Sequence, residues 1–206
     1  MPKSPNFCAA TAPRKRESGK MSMRGEVAVL TGFLLCISTL SSGKLFSQAK
    51  RGGMALQITS PDFSAGEAIP KKFTCDAQDV SPQLKWNEPP ANTQSFALIM
   101  DDPDAPAGTW VHWVLYDVPA DAKELLERVS RQEQLASGAR QGRSDFGKIG
   151  YSGPCPPPGK PHRYFFKLYA LDTKLNLKSG ATKADLERAM KGHILAQAEL
   201  IGRYGR

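Results

Sequence analysis

The sequence lacks several patterns by which enzymes and membrane proteins are commonly identified. No G-x-S-x-G motif is present, which argues against a hydrolase with a serine nucleophile on a strand-to-helix elbow. The chain has three histidines, and none stands at the spacing of known short metal-binding motifs. No uncharged apolar run reaches the roughly 20 residues that a membrane-spanning helix needs. Repeats and low-complexity stretches are also absent, so one ordinary globular domain is expected.

Most of the chain also lacks an excess of charge of one sign. The formal net charge is +8, but residues 1–51 contain nine Lys and Arg residues and only two Glu residues. Residues 52–206 therefore contain 19 basic and 18 acidic residues, a net charge of +1. Nucleic-acid-binding domains carry a marked basic excess, so composition gives no reason to expect nucleic acid as a partner.

The basic N-terminal segment has the pattern of a secretory signal. Val27–Leu40 is an uncharged apolar run of 14 residues preceded by basic residues, and Ser47-Gln48-Ala49 offers small residues where a signal peptidase reads them. We therefore expect residues 1–49 to be a cleaved leader, residues 50–206 to form the domain, and the protein to be periplasmic or secreted. An uncleaved N-terminal membrane anchor is the alternative.

The remaining sequence predicts a mainly β fold. Short apolar or alternating runs are separated by glycine and proline turns, and Ser95–Met100 is typical of a buried central strand. The polar segment 121–142, with a short helical hint at 123–129, is interpreted as a surface excursion. We predict an antiparallel β-sandwich with one or two short helices.

Two elements near the C-terminus can be predicted individually. Thr182-Lys183-Ala184-Asp185 is a capping box, which predicts a helix through about Lys191. Beyond Gly192, the alternation of Ala196, Ala198 and Leu200 with polar residues predicts a strand.

Two proline-rich stretches hold the densest set of ionisable and aromatic groups. Asp102-Pro103-Asp104 precedes the run Trp110–Asp117, whose alternation places Trp110, His112, Val114 and Tyr116 on one face. Gly153-Pro154-Cys155-Pro156 precedes the run His162–Leu171, in which His162 and Tyr164 share a face. These acids, histidines and tyrosine could meet at one end of a sheet.

These motifs resemble those of the phosphatidylethanolamine-binding protein family, and most closely its bacterial Raf-kinase-inhibitor-like branch. The resemblance rests on D-P-D-A-P, W-x-H-W, G-P-C-P-P and H-R-Y-F-F, in that order along the chain. It implies a small anion pocket for phosphate or a phospho-head group, lined by Asp102, His112, His162 and Tyr164, with the turn from Gly153 and Pro154 to Pro156 as its wall. It also implies a non-enzymatic binding protein, without a cofactor, that regulates or inhibits a kinase or protease whose identity is unknown.

Each of these residues also has an ordinary structural interpretation. His112 and His162 would by themselves more often be packed, hydrogen-bonded histidines, and Asp104 is expected only to cap its own turn. A metal-dependent hydrolase built on the two histidines and an aspartate is one alternative function. A protein-interaction module with a vestigial pocket is another. A homodimer and peripheral contact with a membrane are compatible with all of these functions.

The cysteines lead to a separate prediction. Removal of the leader would leave Cys75 and Cys155 as the remaining pair, and an even pair in an exported protein is most simply a disulfide. Both lie in loops that contain or adjoin the pocket motifs. Two buried free thiols are the alternative.

Overall fold

The computed structural model describes residues 55–206, which are built mainly from antiparallel strands. In chain order the elements are β1 (Ile58–Thr59), a 3-10 turn (Lys71–Phe73), β2 (Leu84–Trp86), β3 (Ser95–Asp102), β4 (Trp110–Pro119), β5 (Glu124–Leu125), β6 (Arg140–Gln141), β7 (His162–Leu171), α1 (Lys183–Met190) and β8 (Ile194–Tyr204). The predicted leader, residues 1–49, lies outside the described residues.

The strands form two sheets, with the orders β1-β2-β5 and β6-β4-β3-β7-β8. Residues from both sheets, among them Leu84, Trp86, Phe96 and Phe166, belong to one buried apolar cluster. The opposite face of the larger sheet is covered in part by α1, through Leu186 and Met190. The prediction of a mainly β, antiparallel fold with one or two short helices is confirmed. No helix among residues 55–206 is long and apolar enough to cross a membrane.

Buried and capped elements form where the sequence predicts them. All eight residues of β3 are buried at the centre of the larger sheet. The Thr182 hydroxyl accepts a hydrogen bond from the Asp185 backbone N–H and the Asp185 carboxylate accepts one from the Thr182 N–H, which completes the capping box. Strand β8 buries one side of its alternation against the core, while Ile201 pairs with Phe165 on the other face.

The segment 121–142 differs from its prediction. The helical hint at 123–129 is wrong, because Glu124–Leu125 pairs with β2 and Leu125 packs into the core. Much of the segment is exposed, but Gln141 is fully buried and its side-chain carbonyl accepts a hydrogen bond from Trp113 Nε1 at 2.8 Å. A strand of two residues is too short to show an alternation of apolar and polar residues in the sequence. It can be recognised only from its pairing with β2 in the structure.

Candidate functional site

A cavity of about 280 Å³ lies where β3 ends and where β4 and β7 begin. Antiparallel pairing brings these three strand ends together, which places two distant proline-rich stretches side by side. Its polar side chains are Asp102, His112 and His162, and its remaining lining is Ala105, Pro106, Ala107, Trp110, Phe146, Cys155, Pro156 and Pro157. The cavity is therefore a mostly apolar space with three ionisable groups at its wall.

Asp102 fixes the orientation of His162. One carboxylate oxygen of Asp102 accepts the Asp104 backbone N–H at 2.8 Å, and the other lies 2.8 Å from His162 Nδ1. Both side chains are almost fully buried. Because a carboxylate only accepts, the proton of the neutral His162 ring stays on Nδ1 and Nε2 is the nitrogen left for another partner.

His112 is held in the same way by a different acceptor. Its Nδ1 donates to the Ser152 backbone carbonyl at 2.8 Å, and its ring meets Phe146 and Tyr164 edge-on, with ring centroids 5.2 Å apart in both pairs. Burial lowers the pKa of His112 below its ordinary value, although the Ser152 carbonyl and the Asp102 carboxylate act in the opposite direction. At neutral pH this ring is therefore uncharged, with Nε2 as an acceptor.

A β-bulge sets the direction of the His112 side chain. Met100 pairs with Trp113 and the next residue, Asp101, pairs with Val111, so that His112 is the extra residue of β4. The prediction that His112 shares a face with Val114 and Tyr116 is therefore wrong, because the bulge reverses the alternation at this point. Val114 and Tyr116 pack on the face that α1 covers, whereas His112 contacts Tyr164 at the cavity.

Tyr164 lies behind the cavity wall and does not line it. The residue is fully buried, and its hydroxyl has no hydrogen-bond partner among the described residues. Burial, with the nearby Asp102 carboxylate as a second cause, raises the pKa of Tyr164 well above its ordinary value. Trp110 Nε1 and Ser152 Oγ are also buried without a partner in this part of the chain. Three hydrogen-bond donors without partners, in or beside one cavity, are uncommon in a protein interior.

The second half of the predicted wall lines the cavity and the first half does not. Gly153 and Pro154 do not line the cavity, whereas Cys155, Pro156 and Pro157 do. The Gly153 N–H donates to Asp79 Oδ1 at 2.7 Å, and a Cβ at this position would lie 2.3 Å from the Phe73 carbonyl oxygen. Gly153 therefore lets its loop pack closely against the backbone of Phe73 and Thr74.

The predicted disulfide is confirmed. Cys75 and Cys155 are bridged with their Cα atoms 5.4 Å apart, and the Cys75 N–H donates to the Pro154 carbonyl at 3.1 Å. Both cysteines are exposed. Because Cys155 lines the cavity, the bridge ties the proline-rich wall to the loop that follows the 3-10 turn.

Two aromatic side chains that were not predicted as site residues, Trp110 and Phe146, also line the cavity. Trp110 and Phe146 pack edge to face with ring centroids 5.5 Å apart, and Phe146 is 39% exposed as a residue. Phe146 stands in a tight turn, in which Gly147 adopts a φ of +73° and donates its N–H to the Ser144 carbonyl. The only sign of this role in the sequence is that Phe146 is an aromatic residue that precedes a glycine in an otherwise polar loop.

Asp104 does not act as a turn cap for its own segment. Its carboxylate instead accepts three hydrogen bonds from Arg163, from the backbone N–H, from Nε and from the guanidinium NH2, at 2.9, 2.9 and 2.7 Å. The Arg163 hydrogen bonds lower the pKa of Asp104 to about 2. Turn capping falls to Asp102, which accepts the Asp104 N–H.

The donor set does not favour a bound metal ion. No group of three His, Cys, Asp or Glu side chains within residues 55–206 is arranged to hold one. Both Asp102 oxygens are already engaged, one with His162 and one with a backbone N–H. Asp102 therefore orients a histidine where a facial triad would require it to bind the metal.

Known proteins and a family model match this chain over most of the described residues. The family model described as phosphatidylethanolamine-binding protein matches residues 59–205. A protein of Aquifex aeolicus described as UPF0098 is 50% identical over 171 residues, covering 82% of this chain and 98% of its own length. One of Methanothermobacter thermautotrophicus, with the same description, is 51% identical over 151 residues, or 73% of this chain and 99% of its own.

Solved structures agree with the sequence relatives. The crystal structure of CT736 from Chlamydia trachomatis, titled as a putative phosphatidylethanolamine-binding protein homologue, has a TM-score of 0.68 and 42% identity, covering 74% of this chain and 98% of that one. Escherichia coli YbcL, titled as a new member of the mammalian PEBP family, has a TM-score of 0.69 and 36% identity, covering 73% and 98%. The chain belongs to the phosphatidylethanolamine-binding protein family.

Proposed function

We propose that the cavity binds a small anion, phosphate or the phosphate of a phospho-head group, and that the protein is a binding protein rather than an enzyme. The carrying observation is that both cavity histidines use Nδ1 on a fixed oxygen acceptor. Each ring therefore keeps Nε2 for a ligand, and a protonated Nε2–H donates well to anionic oxygen. Family membership supports a binding role.

Anion binding at this cavity requires proton uptake. Burial lowers the pKa of His112, so this ring brings no positive charge to the unliganded cavity at neutral pH, and the buried Asp102 carboxylate faces the His162 ring. An incoming anion favours the charged form of each nearby histidine and raises its pKa. The ligand and the proton therefore bind together, and affinity increases as pH falls.

The apolar part of the lining indicates an organic substituent on the anion. Trp110, Phe146 and two proline- or alanine-containing segments, 105–107 and 156–157, surround the ionisable groups. Inorganic phosphate would leave these apolar surfaces without a contact, whereas the carbon chain of a phosphate ester would cover them. An amine on that chain could also donate to Asp102, which makes phosphoethanolamine a suitable probe.

Calorimetric titration with phosphoethanolamine, inorganic phosphate and sulfate, at about pH 5 and about pH 8, tests the proposal. Sulfate does not change its charge in this range, so its affinity reports the protein alone. We expect sulfate to bind at least about tenfold more tightly at the lower pH, and His162→Ala to remove most of that difference. Equal sulfate affinity at both pH values would exclude the histidines from binding.

The third histidine supplies a matched control. His193 Nδ1 also pairs with a carboxylate, that of Asp172 at 2.8 Å, but this pair is exposed and stands at the opposite end of the sheet. His193→Ala should leave sulfate affinity and its pH dependence unchanged. A loss equal to that of His162→Ala would indicate a general effect of histidine charge.

We also propose that the protein works outside the cytoplasm. The Cys75–Cys155 disulfide supports this location, because such bridges persist in oxidising compartments. Fractionation of cells that produce the full chain, with detection of residues after Ala49, tests the proposal. Recovery in the cytoplasmic fraction with both thiols reduced would contradict it.

A further inference from the structure

A second cavity of about 730 Å³ lies at the same end of the larger sheet, beside the start of β7 and the end of β8. Its charged lining consists of three basic side chains, Lys160, Arg163 and Arg203, and two acidic ones, Glu67 and Asp104. None of these residues belongs to the cavity that holds His112 and His162. Its chemistry is therefore separate from that of the proposed head-group site.

Two arginines stand directly opposite each other at this cavity. Arg163 on β7 is the register partner of Arg203 on β8, and like charges at such positions destabilise a sheet. Arg163 is compensated by Asp104, which holds its guanidinium in a fixed orientation. Arg203 forms no ion pair with any carboxylate in residues 55–206, and neither does Lys160. An anion beside Arg203 and Lys160 would supply the negative charge that these two side chains lack.

The backbone beneath these side chains is well held. The segment 66–69 runs along the end of β8, and the Arg203 N–H donates to the Glu67 carbonyl at 2.8 Å while the Arg203 carbonyl accepts the Ile69 N–H at 2.8 Å. On the other side Gly205 packs tightly against Pro161, where a Cβ would lie 2.9 Å from the proline ring. A rigid frame lowers the entropic cost of ordering a ligand.

Consecutive residues at the start of β7 contribute to the two cavities. His162 pairs with Asp102 at the first cavity, and the next residue, Arg163, pairs with Asp104 at the second. The two cavities therefore lie side by side at this end of the sheet. A protein that takes a phospho-head group from a bilayer would bring the second cavity close to the phosphates of neighbouring lipids.

We propose that Lys160, Arg163 and Arg203 form a second anion site, which binds the phosphate group of an anionic phospholipid at a membrane surface. The choice of a lipid rests on the proposed head-group function, whereas the phosphate chemistry follows from Lys160 and Arg203, the two cations of this cavity without an ion pair in residues 55–206. Arginine suits this role because its planar guanidinium can donate two parallel hydrogen bonds to phosphate oxygens.

Vesicle binding tests the site with the full chain. We expect phosphatidylglycerol vesicles to bind the protein more tightly than phosphatidylcholine vesicles, and the double variant K160A/R203A to bind phosphatidylglycerol about 30-fold more weakly. The double variant K174A/K191A removes the same charge from the opposite end of the sheet, where β7 ends and β8 begins. It should keep most of the affinity, and any contribution of residues 1–54 is common to all variants.

A second arm separates the sources of phosphate. Nuclear magnetic resonance of the arginine Nε–H groups should show that glycerol 3-phosphate perturbs the Arg203 signal, and that the vesicles compete with it. Saturation by glycerol 3-phosphate without any vesicle binding would overturn the lipid source. An equal loss of vesicle binding in both double variants, or no change in the Arg203 signal, would overturn the site itself.

The head-group site can fail independently of this one. His162→Ala should abolish phosphoethanolamine binding and leave the perturbation of Arg203 by glycerol 3-phosphate intact. Loss of the Arg203 perturbation in His162→Ala would show that the two cavities are one site, which contradicts the proposal.

Discussion

Replacement of the disulfide by serines, C75S/C155S, should lower stability substantially while leaving the fold intact. The bridge closes a loop across a sequence separation of 80 residues. On the chain-entropy estimate, a loop of this length contributes up to about 4.5 kcal/mol to the free energy of unfolding. For a domain of this size, about 2–4 °C of melting temperature corresponds to each kcal/mol, which gives a decrease of at most about 9–18 °C.

Local contacts should keep the wall near its native position after this change. Both cysteines are exposed, so serine leaves no buried cavity. The Cys75 N–H still reaches the Pro154 carbonyl, and the Arg206 guanidinium bonds to the Pro156 carbonyl at 3.3 Å and to the Asp76 carboxylate at 3.2 Å. The loss should therefore appear as lower stability before it appears as altered structure.

Thermal unfolding followed by circular dichroism is the assay, in a C8S/C36S background so that one cysteine pair remains. Reduction of that background protein should reproduce the melting temperature of the serine variant, because both lack the same loop constraint. A decrease of less than about 2 °C in both cases would refute the entropic argument. Two reactive thiols in the unreduced protein would refute the bridge.

Three further predictions concern buried groups. Asp101→Asn should lower the free energy of unfolding in urea by about 3 kcal/mol, because this fully buried carboxylate neutralises the ammonium groups of Lys167 and Lys183. The control Asp172→Asn, at an exposed position, should cost less than about 1 kcal/mol. Equal losses in the two variants would contradict the prediction. Gly153→Ala should destabilise by about 1–3 kcal/mol, because its Cβ would overlap a backbone carbonyl, and an unchanged urea midpoint would argue against this packing. The free energy of unfolding should decrease as pH falls below about 6.5, because the lowered pKa of His112 makes the unfolded chain bind the proton first. His112 contributes up to about 1.4 kcal/mol per pH unit to this decrease. His112→Asn should reduce that slope, and an identical slope in both proteins would contradict the assignment.

Elements whose pattern is local could be predicted from the sequence. The buried strand β3, the capping box at Thr182 and the alternation in β8 each carry their signal within a dozen residues. His162 and Tyr164 share a face because β7 is regular through that point. Local periodicity is sufficient for these elements, since each residue's burial follows from its own strand or helix.

Features that depend on pairing between distant segments could not be predicted in detail. The bulge at His112 is visible only in the register between β3 and β4, and it changes which residues share a face with that histidine. Strand β5 has two residues and exists because β2 lies beside it. The choice of Arg163 as partner for Asp104 likewise depends on how β7 meets the turn after β3. Sequence motifs located the site, but its lining depends on contacts across the sheet.

The proposed function requires that an anion binds at Nε2 of the two cavity histidines and stabilises the protonated ring, with the proton taken up from solvent. The ring nitrogen resonances of ¹⁵N-labelled histidine report directly whether Nδ1 and Nε2 carry protons. On addition of sulfate at neutral pH, we expect the His112 Nε2 resonance to move from the unprotonated to the protonated position and the His162 Nε2 resonance to shift, while the His193 resonances stay unchanged. Sulfate binding with no change in either cavity histidine, or no binding at any accessible concentration, would contradict it.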